Sequence, residues 1–197
     1  MSHLRSFVPA RPAPVMPRQR GFVLAELMVV VAICLILMAL AAPNLHDLLR
    51  AQQLKVAAAD LFDAIEATRW QAIARGERVQ LAPVASGGWE QGWVVFVDRD
   101  EDDLPGEHDE VIAAHGPLAA GIHIESAFSG KPGRTYIAYN AQGRGCTDGS
   151  SLAARWGTVS LFHGAYTRRI KINMLGRART CDPARDGASC AGVDHDP

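Results

Sequence analysis

Gly21-Phe22-Val23-Leu24-Ala25-Glu26, with the apolar run Leu27 to Ala42 behind it, decides how the rest of the chain is read. From Phe22 to Ala42 there are 21 residues, and Glu26 is the only charge among them. At about 1.5 Å rise per residue, a helix of that length covers roughly 30 Å, one bilayer core. The segment ahead of it carries Arg5, Arg11, Arg18 and Arg20 and no acid, which predicts a cytoplasmic N-terminal side. A lone carboxylate in hydrocarbon costs at least a few kcal/mol and so marks a function and a partner. No Lys or Arg lies within the run to pair with Glu26. Cleavage after Gly21 would expose such a partner, the α-amino group of Phe22.

This box resembles that of the type IV pilin class of prepilins, whose leader is cut after the glycine of Gly-Phe-x-Leu-x-Glu. The resemblance implies a prepilin peptidase acting between Gly21 and Phe22, and N-methylation of Phe22. It also implies a role for Glu26 in assembly, matching the amine of an adjacent subunit. Pro43 fits a bend where such helices leave their most apolar part. Two simpler readings compete. Ala39-Leu40-Ala41 also matches an ordinary secretory signal cut after Ala41, and an unprocessed membrane anchor is the other. The mature N-terminus separates them: Phe22, Ala42 or the uncut start.

Beyond Pro43 the helical pattern resumes. Leu45, Leu48, Leu49, Leu54, Ala58, Leu61, Phe62, Ile65, Ala72 and Ile73 recur at three- and four-residue steps, with charges between them. The spacing predicts an amphipathic helix to about Arg75, with Gly76 as its stop. From Glu77 the texture changes to short β-branched runs broken by Gly and Pro. Candidate strands are Arg78–Leu81, Gly92–Asp98, Glu110–Ala114, Ile122–Phe128, Thr135–Asn140, Thr158–Phe162 and Arg168–Met174. The predicted class is α+β: a long N-terminal helix packed on a mostly antiparallel β-sheet body. The expected divisions are a leader (1–21), an apolar filament-core helix (22–42), an amphipathic helix (43–76), a β-rich periplasmic domain (77–180) and a tail (181–197).

Charge is segregated. Ser86 to Glu125 holds ten acids against Arg99 alone, whereas Arg134 to Arg179 holds eight bases against Asp148 alone. Loss of the leader would leave 16 basic and 21 acidic residues, a formal −5. An acidic protein with a basic C-terminal third can still hold a polyanion on one surface. Of four cysteines, Cys34 lies in the apolar run. A periplasmic body favours disulfides. Three cysteines cannot all pair; Cys181 with Cys190 is the expected bridge, closing a short loop in a Gly/Pro/Asp-rich tail, and Cys146 with Cys181 is the alternative.

Gly92-Trp93-Val94-Val95-Phe96-Val97-Asp98, followed by Asp100 and Asp102, resembles the Gly-Trp-x-Val-Phe-x-Asp hairpin of the GspH/FimT group of minor pilins and pseudopilins. Asp98, Asp100 and Asp102 also begin like a calcium loop, but Asp103 and Asp109 stand where glycine and glutamate belong. A solvated turn is the favoured reading, with no metal and no cofactor expected. Trp89, Trp93 and Phe96 are expected in the core.

Thr167 to Met174 alternates, with Ile170, Ile172 and Met174 facing one way and Arg169, Lys171 and Asn173 the other. If Gly176 introduces no bulge, Arg177 and Arg179 continue the row of Arg169 and Lys171, cations about 6–7 Å apart along one edge. Gly176-Arg177-Ala178-Arg179 also resembles the Gly-Arg-x-Arg motif of the FimT minor pilins, which implies binding of double-stranded DNA through Gly176, Arg177 and Arg179. Arginine forks grip phosphates without reading sequence. The competing account is a solvated face, or cations pairing with the acidic hairpin of a neighbouring subunit.

No Gly-x-Ser-x-Gly, no His-Glu-x-x-His and no phosphate-cradling glycine loop is present, and the seven histidines have no metal-like spacing. The sequence therefore reads as a non-enzymatic subunit of a thin filament, anchored in the inner membrane and partnered by other pilin subunits. Its first functional reading is DNA uptake. The alternative is a structural pseudopilin of type II secretion.

Overall fold

A computed structural model of the protein describes residues 24–84, 88–100, 104–130, 135–147 and 150–192; the side chains of 39–44 are outside this set. Gly21 and Phe22, the expected cleavage site, lie outside it too. The chain forms two compact units, Met1–Pro43 and Asn44–Pro197. Helix α1 runs Leu24–Arg75.

In the first unit α1 carries Glu26 in its first turn, where an acid suits the positive end of the helix. Leu24, Leu27, Met28, Ile33, Leu35, Leu37 and Met38 are all exposed. Among the described residues no helix is long and apolar enough to cross a membrane. The 21-residue span read from sequence rests partly on Phe22, Val23 and the side chains of 39–42, which lie outside those residues. Pro43, the expected site of a bend, lies within α1.

In the second unit one face of α1 is buried: Leu54, Ala57, Ala58, Leu61, Ile65, Thr68 and Ala72 follow steps of three and four. Leu45, Leu48 and Leu49, which share the sequence pattern, are exposed instead. The helix stops where Gly76 takes φ 69° and donates to Ala72 O at 3.0 Å.

Among the described residues ten strands follow: β1 (Val79–Pro83), β2 (Trp93–Val97), β3 (Glu110–His115), β4 (Ile122–Phe128), β5 (Ile137–Tyr139), β6 (Cys146–Thr147), β7 (Ser150–Ala154), β8 (Gly157–His163), β9 (Tyr166–Ile172) and β10 (Ala178–Cys181). The body is two four-stranded sheets rather than one, ordered β3-β2-β1-β5 and β10-β9-β8-β4, with β6-β7 as a small hairpin. All pairings are antiparallel. A short helix α2 (Pro183–Asp186) and a 3-10 turn (Gly187–Cys190) close the chain.

Period-two alternation distributes the core. Val79 and Leu81 of β1, with Trp93, Val95 and Val97 of β2, meet the buried face of α1 and the inward residues Ile124, Val159, Leu161, Ile170 and Ile172 of the second sheet. Ala82, Val94, Phe96, Tyr136, Ala138 and Cys146 form a smaller cluster on the other face of the first sheet. Burial on both sides explains why β2 reads as an unbroken apolar run. Gly92 enters that strand at φ 103°, and a Cβ there would lie 2.2 Å from His115 O. Trp89, Trp93 and Phe96 are all buried, as expected.

Candidate functional site

The second sheet presents one face to the core and one outward, and its register fixes what the outer face carries. Lys171 of β9 pairs with Thr158 of β8 and with Arg179 of β10; Arg169 pairs with Ser160 and with Cys181. One step beyond, Asn173 N donates to Arg177 O at 3.1 Å, so Arg177 stands beside Asn173, with Trp156 on the opposite flank. Across β8, β9 and β10 the outer face therefore carries three cross-rows: Trp156, Asn173, Arg177; Thr158, Lys171, Arg179; Ser160, Arg169, Cys181; β4 extends the last two with Ala127 beside Thr158 and Glu125 beside Ser160.

The row expected from sequence is corrected by this geometry. The chain turns back at Gly176, so Arg177 and Arg179 lie on a neighbouring strand, facing Asn173 and Lys171, and do not extend their line. The connection is Met174, Leu175 and Gly176. Asn173 organises it: its Oδ1 accepts from Leu175 N and Arg177 N, each at 3.0 Å, while Gly176 N donates to Asn173 O at 2.9 Å. Gly176 takes φ 77°, the left-handed residue that three-residue hairpin loops call for. A Cβ there would sit 2.5 Å from Gly143 O and 2.9 Å from Tyr139. Gly176 is buried; it shapes the turn that presents the arginines and offers no surface of its own.

Arg169 also departs from expectation. It is 3% exposed, with Nη1 donating to Cys190 O at 2.6 Å and Nε to Ser160 Oγ at 3.3 Å. The C-terminal tail lies over it, and a Cβ on Gly192 would approach its Nε to 2.9 Å. A guanidinium so enclosed anchors the tail and cannot meet a polyanion. The cause is the bridge between Cys181 and Cys190, with Cα atoms 5.8 Å apart, which folds the 3-10 turn back over this end of the sheet. Arg168 joins the same anchorage through Asp182 at 2.5 Å, and Asp182 Oδ1 caps α2 through Ala184 N.

Three cations remain accessible. Lys171 is half-buried; its Nζ donates to Ala191 O at 3.1 Å and Ser189 O at 3.4 Å. Arg179 is exposed, and its Nη2 donates to Ser189 O. Arg177 is exposed and, among the described residues, has no side-chain partner. Among the described residues, the tail thus meets Lys171 and Arg179 with the neutral carbonyls of Ser189 and Ala191, which orient the cations without cancelling their charge. Together with Trp156, Gly157, Thr158, Ile172, Asn173 and Ala178 these residues line an open cavity of about 510 Å³ that contains no acid. Trp156, which sequence reading passed over, is 43% exposed at its rim. The signal is the alternation of Trp156, Thr158 and Ser160 at the start of β8, which begins at Gly157, one residue before the expected Thr158.

The acidic stretch is arranged in the opposite way. Arg75 and Arg99 both reach Glu110, at 2.6 and 3.0 Å, and Arg99 also reaches Glu77 at 2.8 Å. Hydrogen bonds from Arg75 and Arg99 hold the Glu110 carboxyl below its ordinary range. Asp98 is enclosed between Arg78 at 3.2 Å and Gln80 Nε2 at 2.9 Å. Asp98, Asp100 and Asp109 bring carboxylate oxygens within 4.8 Å of one another, but Asp109 already accepts from Arg99 N and Gly106 N. Asp102 and Asp103 lie outside the described residues. Cys146 is a buried free thiol, pushed up to about 11 by burial. In the first unit Glu26 is exposed on α1.

Residues 57–176 match the family model described as type II transport protein GspH, and residues 16–42 match the prokaryotic N-terminal methylation motif. The type IV minor pilin FimU of Pseudomonas aeruginosa (strain PAO1) has a similar structure in two crystal forms. One gives a TM-score of 0.54 at 15% identity over 71% of this chain and 96% of that one; the other gives 0.52 at 14% over 70% and 99%. The minor pseudopilin EpsH from the type 2 secretion system of Vibrio cholerae gives 0.47 at 14% identity over 68% and 99%. At these identities the likeness to FimU is one of fold. Comparison with curated proteins finds no match.

Proposed function

The chain belongs to the GspH family of type II transport proteins and is a minor pilin or pseudopilin, and on that premise we propose that it binds double-stranded DNA, without sequence preference, for uptake. The observation that carries this reading is the cation set Lys171, Arg177 and Arg179 lining an outer-face cavity with no acid among its lining residues, with Arg177 and Arg179 exposed. Arginine forks held on a sheet suit phosphate, and such contacts carry no base information. Gly176 supports the site through its turn, and Arg169 has no part in binding.

In the same reading a prepilin peptidase cuts between Gly21 and Phe22, Phe22 is N-methylated, and Glu26 meets the new amine of an adjacent subunit. Residues 22–42 place the chain in the inner membrane, body in the periplasm, until it joins other pilin subunits in a filament. The family match itself favours a second reading, a structural pseudopilin of type II secretion whose cationic face serves subunit contacts.

The test uses the full chain in non-ionic detergent and hairpin-closed duplex DNA followed by anisotropy. DNA binding predicts saturable affinity indifferent to sequence; no binding at low salt returns the chain to the second reading. N-terminal sequencing of the mature protein tests the processing, with Phe22 as the expected first residue.

A further inference from the structure

The feature of the outer face that phosphate binding leaves unused is Trp156. This indole is 43% exposed and lines the same cavity as Lys171, Arg177 and Arg179. It is also held in place. Ser129 N donates to Trp156 O at 2.8 Å, and Trp156 N donates to Ser129 Oγ at 3.1 Å. The preceding Arg155 is buried on the opposite side, its guanidinium 4.1 Å from the ring centre of Tyr136 and 5.2 Å from that of Phe128. The following Gly157 passes so close to β4 that a Cβ would lie 2.3 Å from Ala127 O. Both neighbours are fixed, so the backbone that carries the indole is fixed as well.

An exposed indole beside cations is the arrangement that holds a nucleobase and its phosphates together. Base–aromatic stacking tolerates any sequence, because every base has a π-face. Trp156 and Arg177 immediately precede β8 and β10, which lie two strand spacings apart, roughly 10 Å, with Asn173 between them as an amide donor and acceptor. That is the width of a nucleotide from base to backbone. The cavity, about 510 Å³, falls within the range of small-ligand sites.

We propose that this face is a single-strand site as well as a duplex site: a base of single-stranded DNA stacks on Trp156 while its flanking phosphates meet Lys171, Arg177 and Arg179. In a closed duplex both faces of each base are covered by neighbouring pairs, so a duplex engages only the cations. A single strand engages cations and indole together. The inference rests on the DNA-binding reading above but adds a contact that reading does not need, so the two can fail separately.

The experiment compares a twelve-residue oligothymidylate with a hairpin-closed duplex of equal phosphate number, both titrated into the full chain in non-ionic detergent. Trp156→Ala is expected to weaken oligothymidylate binding about tenfold, from the energy of one base stack, and to leave duplex affinity within about twofold. Trp156→Phe keeps an aromatic face and should retain most single-strand affinity. It should also lose the part of the tryptophan quenching that Trp156 contributes, which identifies the stacking residue without relying on the alanine variant's folding. Equal oligothymidylate affinity in Trp156→Ala and parent, or undiminished quenching in Trp156→Phe, overturns the proposal and leaves duplex binding standing. If the parent binds neither DNA, the DNA reading falls and this site falls with it.

Discussion

Two charged regions of this body look alike in sequence and differ in what their charges touch. In the acidic region from Glu77 to Glu110, the acids Glu77, Asp98 and Glu110 are paired within the chain: Arg99 spans Glu77 and Glu110, Arg75 reaches Glu110, and Arg78 with Gln80 holds Asp98. The basic region from Arg168 to Arg179 splits. Arg168 is paired with Asp182 and Arg169 is enclosed under the tail, but Lys171 and Arg179 meet only neutral carbonyls among the described residues. Charge density alone therefore does not make a binding surface. Opposite charges consume one another locally, while backbone dipoles position a charge and leave it available to a ligand.

The comparison breaks most visibly under charge reversal. Arg177→Glu with Arg179→Glu should eliminate measurable duplex binding by anisotropy, because two attractions become two repulsions on one face. A matched reversal of Glu77 and Glu110 to Lys should leave DNA affinity within about threefold, since that region faces no polyanion in this account.

The disulfide sharpens the contrast next. Cys181 and Cys190 close a loop with a separation of nine residues, which in the loop-entropy picture stabilises by about 2–3 kcal/mol. Cys181→Ser with Cys190→Ser should lower stability by about that amount in denaturant melts. It should also loosen the tail carbonyls from Lys171 and Arg179, so duplex affinity should rise at matched folded fraction. An unchanged affinity would mean the tail does not share those cations.

Gly176→Ala comes third. A side chain there must leave the left-handed region or push Gly143 O away from 2.5 Å, a cost of about 1–3 kcal/mol. Thermal unfolding should show the loss, and duplex binding should weaken as the turn that seats Arg177 shifts.

The smallest effect belongs to Glu110. Its carboxyl sits below the ordinary range because Arg75 and Arg99 donate to it. A depressed folded-state value means the stabilisation is complete above the unfolded value, about 4.3, and is lost as pH falls through the folded one. Glu110→Gln should therefore lower the melting temperature slightly at pH 7 and not at all near pH 2. A network this exposed is weak, and added salt should shrink the difference further.

Much of this architecture was legible from residue patterns because burial and periodicity are local. The three- and four-residue steps from Leu54 to Ala72 mark the buried face of α1, and short β-branched runs between Gly and Pro mark β3 and β4 in Glu110–Ala114 and Ile122–Phe128. Leu45 and Leu48 fit the same helical pattern yet are exposed, since periodicity says which residues share a face and not what covers it. Strands β6, β7 and β10 went unread: two are short or largely exposed, and β10 was taken as a continuation of β9. That last error set the wrong neighbours for Arg177 and Arg179. The Gly176 turn depends on Asn173 and on the approach of residue 143, 33 positions upstream, which no local pattern reports. Burial of Arg169 depends on a disulfide folding the tail back, again a long-range fact.

The most direct measurement is the salt dependence of duplex binding by the full chain and by its Arg177→Ala, Arg179→Ala variant. The cationic face predicts a log–log slope of roughly −2 to −4 for the parent, about −0.9 per phosphate neutralised. The variant should lose about two of that slope along with most of its affinity. A parent slope near zero, or a variant that keeps the parent's slope and affinity, would contradict the account, because the charges that make this face would then be doing nothing to DNA.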